Sequence, residues 1–158
     1  MRILLLAIAA ALTVAPAQAQ RNKQPQVTAE ALRAMQTKEF AAPTLTVFPA
    51  VISTLTDLGY MIDSADKDTG LIKATEAAKT KVSGLGLNQK KTALVITAFV
   101  EPRGSAAASI RLNIVENFSY NYMGKPYRNT DTVITTSATY TDVFSRIETA
   151  VSARMGAT

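Results

Sequence analysis

Ser64 and Lys67 stand three residues apart, the Ser-x-x-Lys spacing in which a lysine amine activates a serine hydroxyl as a nucleophile. Catalysts that use this spacing set it at the start of a buried helix, so that both side chains share one face. Here the pair lies among turn formers beside Asp63 and Asp66, and no companion motif follows. The same stretch places Asp63, Asp66 and Asp68 ahead of Gly70, which hints at calcium. A calcium loop needs several oxygen ligands closed by a bidentate acid. The spacing departs from that form, and Glu76 falls on the strand that follows. The segment reads as a hairpin turn whose aspartates accept hydrogen bonds from nearby backbone N–H groups.

The absences narrow the chemistry further. The chain contains no His and no Cys. Ser-His-Asp and Cys-His catalysis, His-ligated zinc and the usual near-neutral general base are therefore excluded. A transition-metal site would have to be all carboxylate, and the acids show no clustering suited to one. A hydrolase working through carboxylates alone needs two acids facing each other across a cleft. Asp63, Glu76, Glu101 and Glu116 lie on or beside strands, but nothing in their spacing pairs them. No catalytic, metal or cofactor residue is assigned, and the chain is expected not to be an enzyme.

Two groups suit binding instead. Lys79, Lys81, Lys90 and Lys91 surround residues 82–87, which include Leu85 between Gly84 and Gly86, and Leu87 after them. A long solvated hairpin connection has this composition. So has a loop that dips into an anionic membrane surface, or one that enters a protein groove. Phe118, Tyr120, Tyr122 and Tyr127 gather near Lys125 and Arg128. Phe118 and Tyr120 are expected to continue a core face, and Tyr122 and Tyr127 to extend past the sheet edge, where exposed tyrosines beside cations suit a partner or a glycan. Lys plus Arg is 17 and Asp plus Glu is 12, a net charge of +5. That excess favours anionic lipid or cell-wall surfaces, but the charges are too scattered for a nucleic-acid stripe.

The elements that must position these groups are legible from periodicity. Residues 28–35 suggest a short helix with Thr28 as cap, and 37–41 a short strand before Pro43. Phe48, Val51, Ile52, Leu55 and Leu58 form one helical stripe over residues 46–58, capped by Thr44 or Thr46 and ended by Gly59. Pro49 fits such a helix only near its first turn. Strands at 60–63 and 71–75 flank the aspartate turn, and 79–91 reads as a connection to a central strand at 92–100. From Ala106 to Tyr122 the even positions are apolar or aromatic and the odd ones mostly polar, the period of a one-sided strand. Val115 and Glu116 break the alternation, so a bulge or bend is expected there. A turn at 123–128, a strand at 129–138 and a helix at 141–154 carrying Tyr140, Val143, Phe144, Ile147 and Val151 complete the chain. The order is β-α-β-β-β-β-β-α. Two helices with one apolar face each must cover the greasy side of the sheet, giving an α+β two-layer sandwich with a curved antiparallel sheet of five or six strands.

The first residues carry an address. Arg2, the apolar run 3–14 and Ala17-Gln18-Ala19 have the form of a secretory signal peptide cleaved at Ala19/Gln20. The run is too short to span a bilayer, for which roughly 20 residues are needed. The expected plan is a signal peptide at 1–19, a flexible or weakly helical segment at 20–36 and one α+β domain at 37–158. The expected location is the periplasm, with a peripheral position at the outer membrane left open.

The helix ending in Leu58-Gly59-Tyr60, the hairpin turn Asp68-Thr69-Gly70-Leu71-Ile72 and the final helix with Tyr140 and Phe144 resemble a recurrent pattern in small proteobacterial envelope lipoproteins of unknown function. A more distant similarity is to the domains of lipoprotein component C of the outer-membrane β-barrel assembly machine. The resemblance covers residues 38–154 and implies a fold rather than an activity, and it brings no catalytic residues. The lipid-bearing Cys of such lipoproteins is missing here. The expected role is a non-enzymatic module contacting an envelope protein or an anionic membrane or cell-wall surface. The alternative is an apolar small-ligand or lipid carrier, with a cavity lined by Phe48, Ile110, Leu112 and Ile114.

Overall fold

The structure, a computed structural model, describes residues 27–156. The expected leader and its cleavage point lie outside the described residues. The chain runs α1 (Ala29–Gln36), β1 (Thr37–Phe40), α2 (Thr44–Asp57), β2 (Tyr60–Asp66), β3 (Leu71–Glu76), β4 (Lys79–Ser83), β5 (Asn88–Pro102), β6 (Ala108–Tyr122), β7 (Lys125–Val133) and α3 (Ser137–Met155). The strands form one antiparallel sheet in the order β1-β6-β5-β3-β2, with β4 also paired to β5 and β7 also paired to β6. This is the expected α+β class, with one strand more than the sequence suggested.

Local chemistry explains most boundaries. Thr28 caps α1, its Oγ1 accepting from the Ala31 N–H at 3.2 Å. The cap of α2 is Pro43, which supplies no side-chain bond, so neither Thr44 nor Thr46 caps it and Pro49 falls inside the helix. Polar groups gather beside that proline. Ser53 Oγ donates to the Pro49 carbonyl at 3.1 Å, and Arg154 Nη2 reaches from α3 to Ser53 Oγ at 3.1 Å. The final helix starts at Ser137 rather than Thr141, and β7 ends before the threonine-rich run does. Tyr140 lies in that added first turn, its ring buried and its hydroxyl donating to Ile134 O at 2.8 Å.

The core lies between the two long helices and one face of the sheet. Val47, Phe48, Val51 and Leu55 of α2 and Tyr140, Phe144 and Ile147 of α3 pack with Ile72, Ile96, Ile110, Leu112 and Ile114. Within β6 the buried residues Ile110, Leu112 and Ile114 alternate as a period of two requires, and none of the five strand residues has exposed surface. Gly70 makes the turn after β2 possible. Its φ is +74°, its carbonyl accepts from the Val100 N–H at 2.9 Å, and a Cβ there would overlap the Val100 carbonyl oxygen.

The helices cover only part of the sheet. β5 and β6 pair without interruption from Asn88↔Tyr122 to Pro102↔Ala108. The bulge expected at Val115 and Glu116 is absent from that pairing. The alternation breaks there because cover ends: past Ile114 the buried core takes no further residue from β6, and Glu116 keeps its register on a half-open face. Bulges fall instead on flanking strands, at Ile62/Ser64 in β2 and at Tyr120/Asn121 opposite β7. Residues 76–78 also oppose only Ala93 and Leu94, so β3 and β4 follow one another along the same side of β5 with a kink between them.

Beyond that line β7-β6-β5-β4 forms a four-stranded extension. The segment 79–91 is therefore not a long connection. Lys-Thr-Lys-Val-Ser alternates as a strand, and only residues 84–87 turn. Residues 125–128 likewise belong to β7 rather than to a turn, and Pro126 is tolerated because β7 is an edge strand there.

Candidate functional site

The groups that first suggested catalysis are used structurally. Ser64 lies in β2 opposite Lys73, and Lys67 lies in the turn beyond. Asp66 Oδ1 accepts from the Asp68 N–H at 2.9 Å and the Thr69 N–H at 3.3 Å, the turn expected from sequence. The Thr69 hydroxyl and these two N–H groups hold its carboxyl below the ordinary aspartate range. Asp63 Oδ2 accepts from Thr75 Oγ1 at 2.6 Å, Glu76 pairs with Lys79 at 2.8 Å, and Glu101 faces Arg103 at 3.8 Å. Glu116 stands between Leu94 and Thr132. Among the described residues, no three acids gather where a cation could be held. Phe48 borders a groove of about 460 Å³ with Thr44, Gly70 and Val100, while Ile110, Leu112 and Ile114 are sealed in the core.

The basic and aromatic groups, by contrast, come together. Cross-strand register places Lys81, Lys90, Tyr120 and Arg128 in one row across β4, β5, β6 and β7. The next row toward the end of the sheet holds Ser83, Asn88, Tyr122 and Lys125. Both rows lie on the face that, further along β5 and β6, meets the helices. Side-chain contacts agree with this placement. Lys90 Nζ stands 5.9 Å from the Tyr120 ring centre, Tyr120 Oη donates to Asn88 Oδ1 at 2.8 Å, and Tyr127 meets Tyr120 edge-on at 5.7 Å. Tyr127 is the extra residue of the β7 bulge, which turns its ring onto this face beside Arg128.

The charge on this face is unbalanced. Lys81 and Lys90 are directly opposite, an arrangement that destabilises a sheet by up to about 1 kcal/mol. Among the described residues, none of the ion pairs involves Lys81, Lys90, Lys125 or Arg128. Lys79 differs, being neutralised by Glu76. Lys91 differs too, because it pairs with Thr80 and points to the opposite face.

The two hairpin tips meet at the end of the sheet. The Met123 N–H donates to Leu87 O at 2.7 Å, tying the β6–β7 turn to the β4–β5 turn. Each turn has two central residues with positive φ: Leu85 at 56° and Gly86 at 88°, and Met123 at 50° and Gly124 at 76°. Asn, Asp or Gly favours the first of these positions, and an ordinary side chain there is strained. Leu85 is nevertheless fully exposed, with Met123 60%, Val82 59%, Leu87 47% and Tyr122 49% exposed around it.

Sequence reading had named Lys79, Lys81, Leu85, Leu87, Lys90, Lys91, Tyr122, Lys125, Tyr127 and Arg128 as two separate loop groups. The structure joins most of them into one surface and adds Tyr120 and Met123. Met123 carried a readable signal, since an apolar residue before Gly124 in a turn is unusual.

No family model and no curated protein matches the chain. Among solved structures it is similar to a DUF4468 family protein from Bacteroides ovatus, at 13% sequence identity and a TM-score of 0.41, over 73% of this chain and 84% of that one. The likeness carries no assignment of ligand, partner or reaction.

Proposed function

We propose that this chain is a non-enzymatic binding module of the bacterial cell envelope, exported to the periplasm, which contacts another envelope component through the bare half of its sheet. The observation that carries this reading is the row Lys81, Lys90, Tyr120 and Arg128, with two unneutralised lysines held face to face. Such repulsion costs stability in the free protein and is relieved when an anionic partner covers the face. Exposed tyrosines beside those cations supply contact area at low entropic cost. The helix layer offers less: α2 and α3 spend their apolar stripes on the core.

In-cell photocrosslinking tests the reading. A crosslinker at Leu85 or Tyr127 should capture an envelope component, whereas one at exposed Ser145 on α3 should not. Capture at Ser145 alone, or at none of the three, contradicts it.

A further inference from the structure

The bare half of the sheet narrows the proposed partner to one class. Resting on the reading above, the geometry points to an anionic lipid bilayer: the paired hairpin tips enter the headgroup region apolar end first, and the cations behind them take the lipid phosphoryl groups. Three independent features of the surface agree on this partner.

The first is the tip itself. Leu85 and Met123 lie in the two turns that the bond from the Met123 N–H to Leu87 O ties together at the end of the sheet, both strained in the left-handed region and both exposed. Neither packing nor turn preference favours them there, because asparagine would fit both turns better and cost nothing in the core. An apolar phase beyond the tip gives these side chains a place to be buried. The second is order along the sheet. Leu85 and Met123 come first, then Tyr122 with Lys125, then Lys81, Lys90 and Arg128 in the following row. Apolar tips come first and two rows that each mix tyrosine with cations follow, the order in which a bilayer surface presents an apolar phase and then an interfacial layer that takes both amphipathic aromatics and cations. The third is charge. Lys81, Lys90, Lys125 and Arg128 have no carboxylate partner among the described residues, and each contributes to binding an anionic leaflet. A protein groove could take the apolar tip, but a bilayer supplies both an apolar phase for the tip and a dense anionic layer for the two rows behind it. Among the described residues no helix is long and apolar enough to cross a membrane.

Vesicle flotation with the purified protein tests this directly. At about 0.1 M salt, where screening extends about 10 Å, the protein should float with phosphatidylglycerol vesicles and stay behind with phosphatidylcholine vesicles. Lys81→Gln and Lys90→Gln should each weaken binding about fivefold. The Leu85→Asn/Met123→Asn double variant suits both turns, so it should remain folded and still lose about tenfold or more. Equal flotation with both lipids, no flotation with either, or undiminished binding by the double variant overturns the lipid assignment. So does loss of vesicle binding in inorganic phosphate at unchanged ionic strength, which would indicate a free-anion site. If vesicles fail while crosslinks at Leu85 and Tyr127 still capture a protein, the binding module stands and only its lipid partner falls. If the crosslinks fail as well, both readings fall.

Discussion

β5 and β6 pass through two environments without leaving register. In one half, Ile96, Ala98, Ile110, Leu112 and Ile114 face two helices and have no exposed surface. In the other half, the same face of the same strands shows Lys90, Tyr120 and Tyr122, with Lys81 and Arg128 on the strands alongside. The first half packs as a close apolar core, with the Thr54 hydroxyl of α2 buried in it without a partner. The second sets like charges opposite one another and apolar residues at strained, exposed tips. The contrast separates what holds the fold together from what the fold presents, because the opposed lysines and the strained, exposed apolar residues both lie where no helix covers the sheet.

Substitutions in the two halves should therefore differ in size and even in sign. Leu112→Ala, in the covered half, is expected to lower stability by about 2–5 kcal/mol in urea unfolding. Phe118→Ala, only six residues along the same strand and half-exposed, should cost far less; equal losses would mean that the bare half is as essential to folding as the core. Gly70→Ala should cost more than about 1 kcal/mol, because the added methyl meets the Val100 carbonyl and the backbone holds a positive φ. In the bare half the sign reverses. Leu85→Asn and Met123→Asn should each raise stability, by on the order of 1 kcal/mol, and a loss of stability would show that these side chains serve the fold. Lys81→Thr should raise it by roughly 0.5 kcal/mol by removing the opposed charge, an effect that added salt should diminish.

The smallest expected effect is that of Asp66, which caps the turn between β2 and β3. Its folded pKa lies below the unfolded one, so its contribution is complete above about pH 4 and fades as pH falls through the folded value. Thermal melts of Asp66→Ala should sit below those of the native protein at neutral pH and converge with them in acid. A gap that widens in acid would contradict this.

Much of the covered half was legible in the sequence because its apolar residues repeat with the period of the element that buries them. Phe48, Val51 and Leu55 mark α2, and the even residues of β6 mark the core face. Helix starts were harder, since Pro43 and Thr136 provide no side-chain cap to read. The bare half was misread for a physical reason. Periodicity reports burial, and a strand exposed on both faces has no burial contrast to report, so Lys79–Ser83 and Lys125–Arg128 looked like connections. The candidate residues were nonetheless visible by type. What one dimension cannot show is register, and register alone places Lys81, Lys90, Tyr120 and Arg128 in a row.

Hydrogen exchange resolved by residue, measured on the protein with and without isolated envelope membranes, tests the division most directly. Without membranes, amides of β4, β7 and the Asn88 end of β5 and Tyr122 end of β6 should exchange faster than those of the covered half. Adding membranes should slow exchange at residues 80–91 and 119–128 and leave α2 and α3 unchanged. Protection that appears over the helices, or nowhere, would contradict the claim that the uncovered end of the sheet is the contact surface.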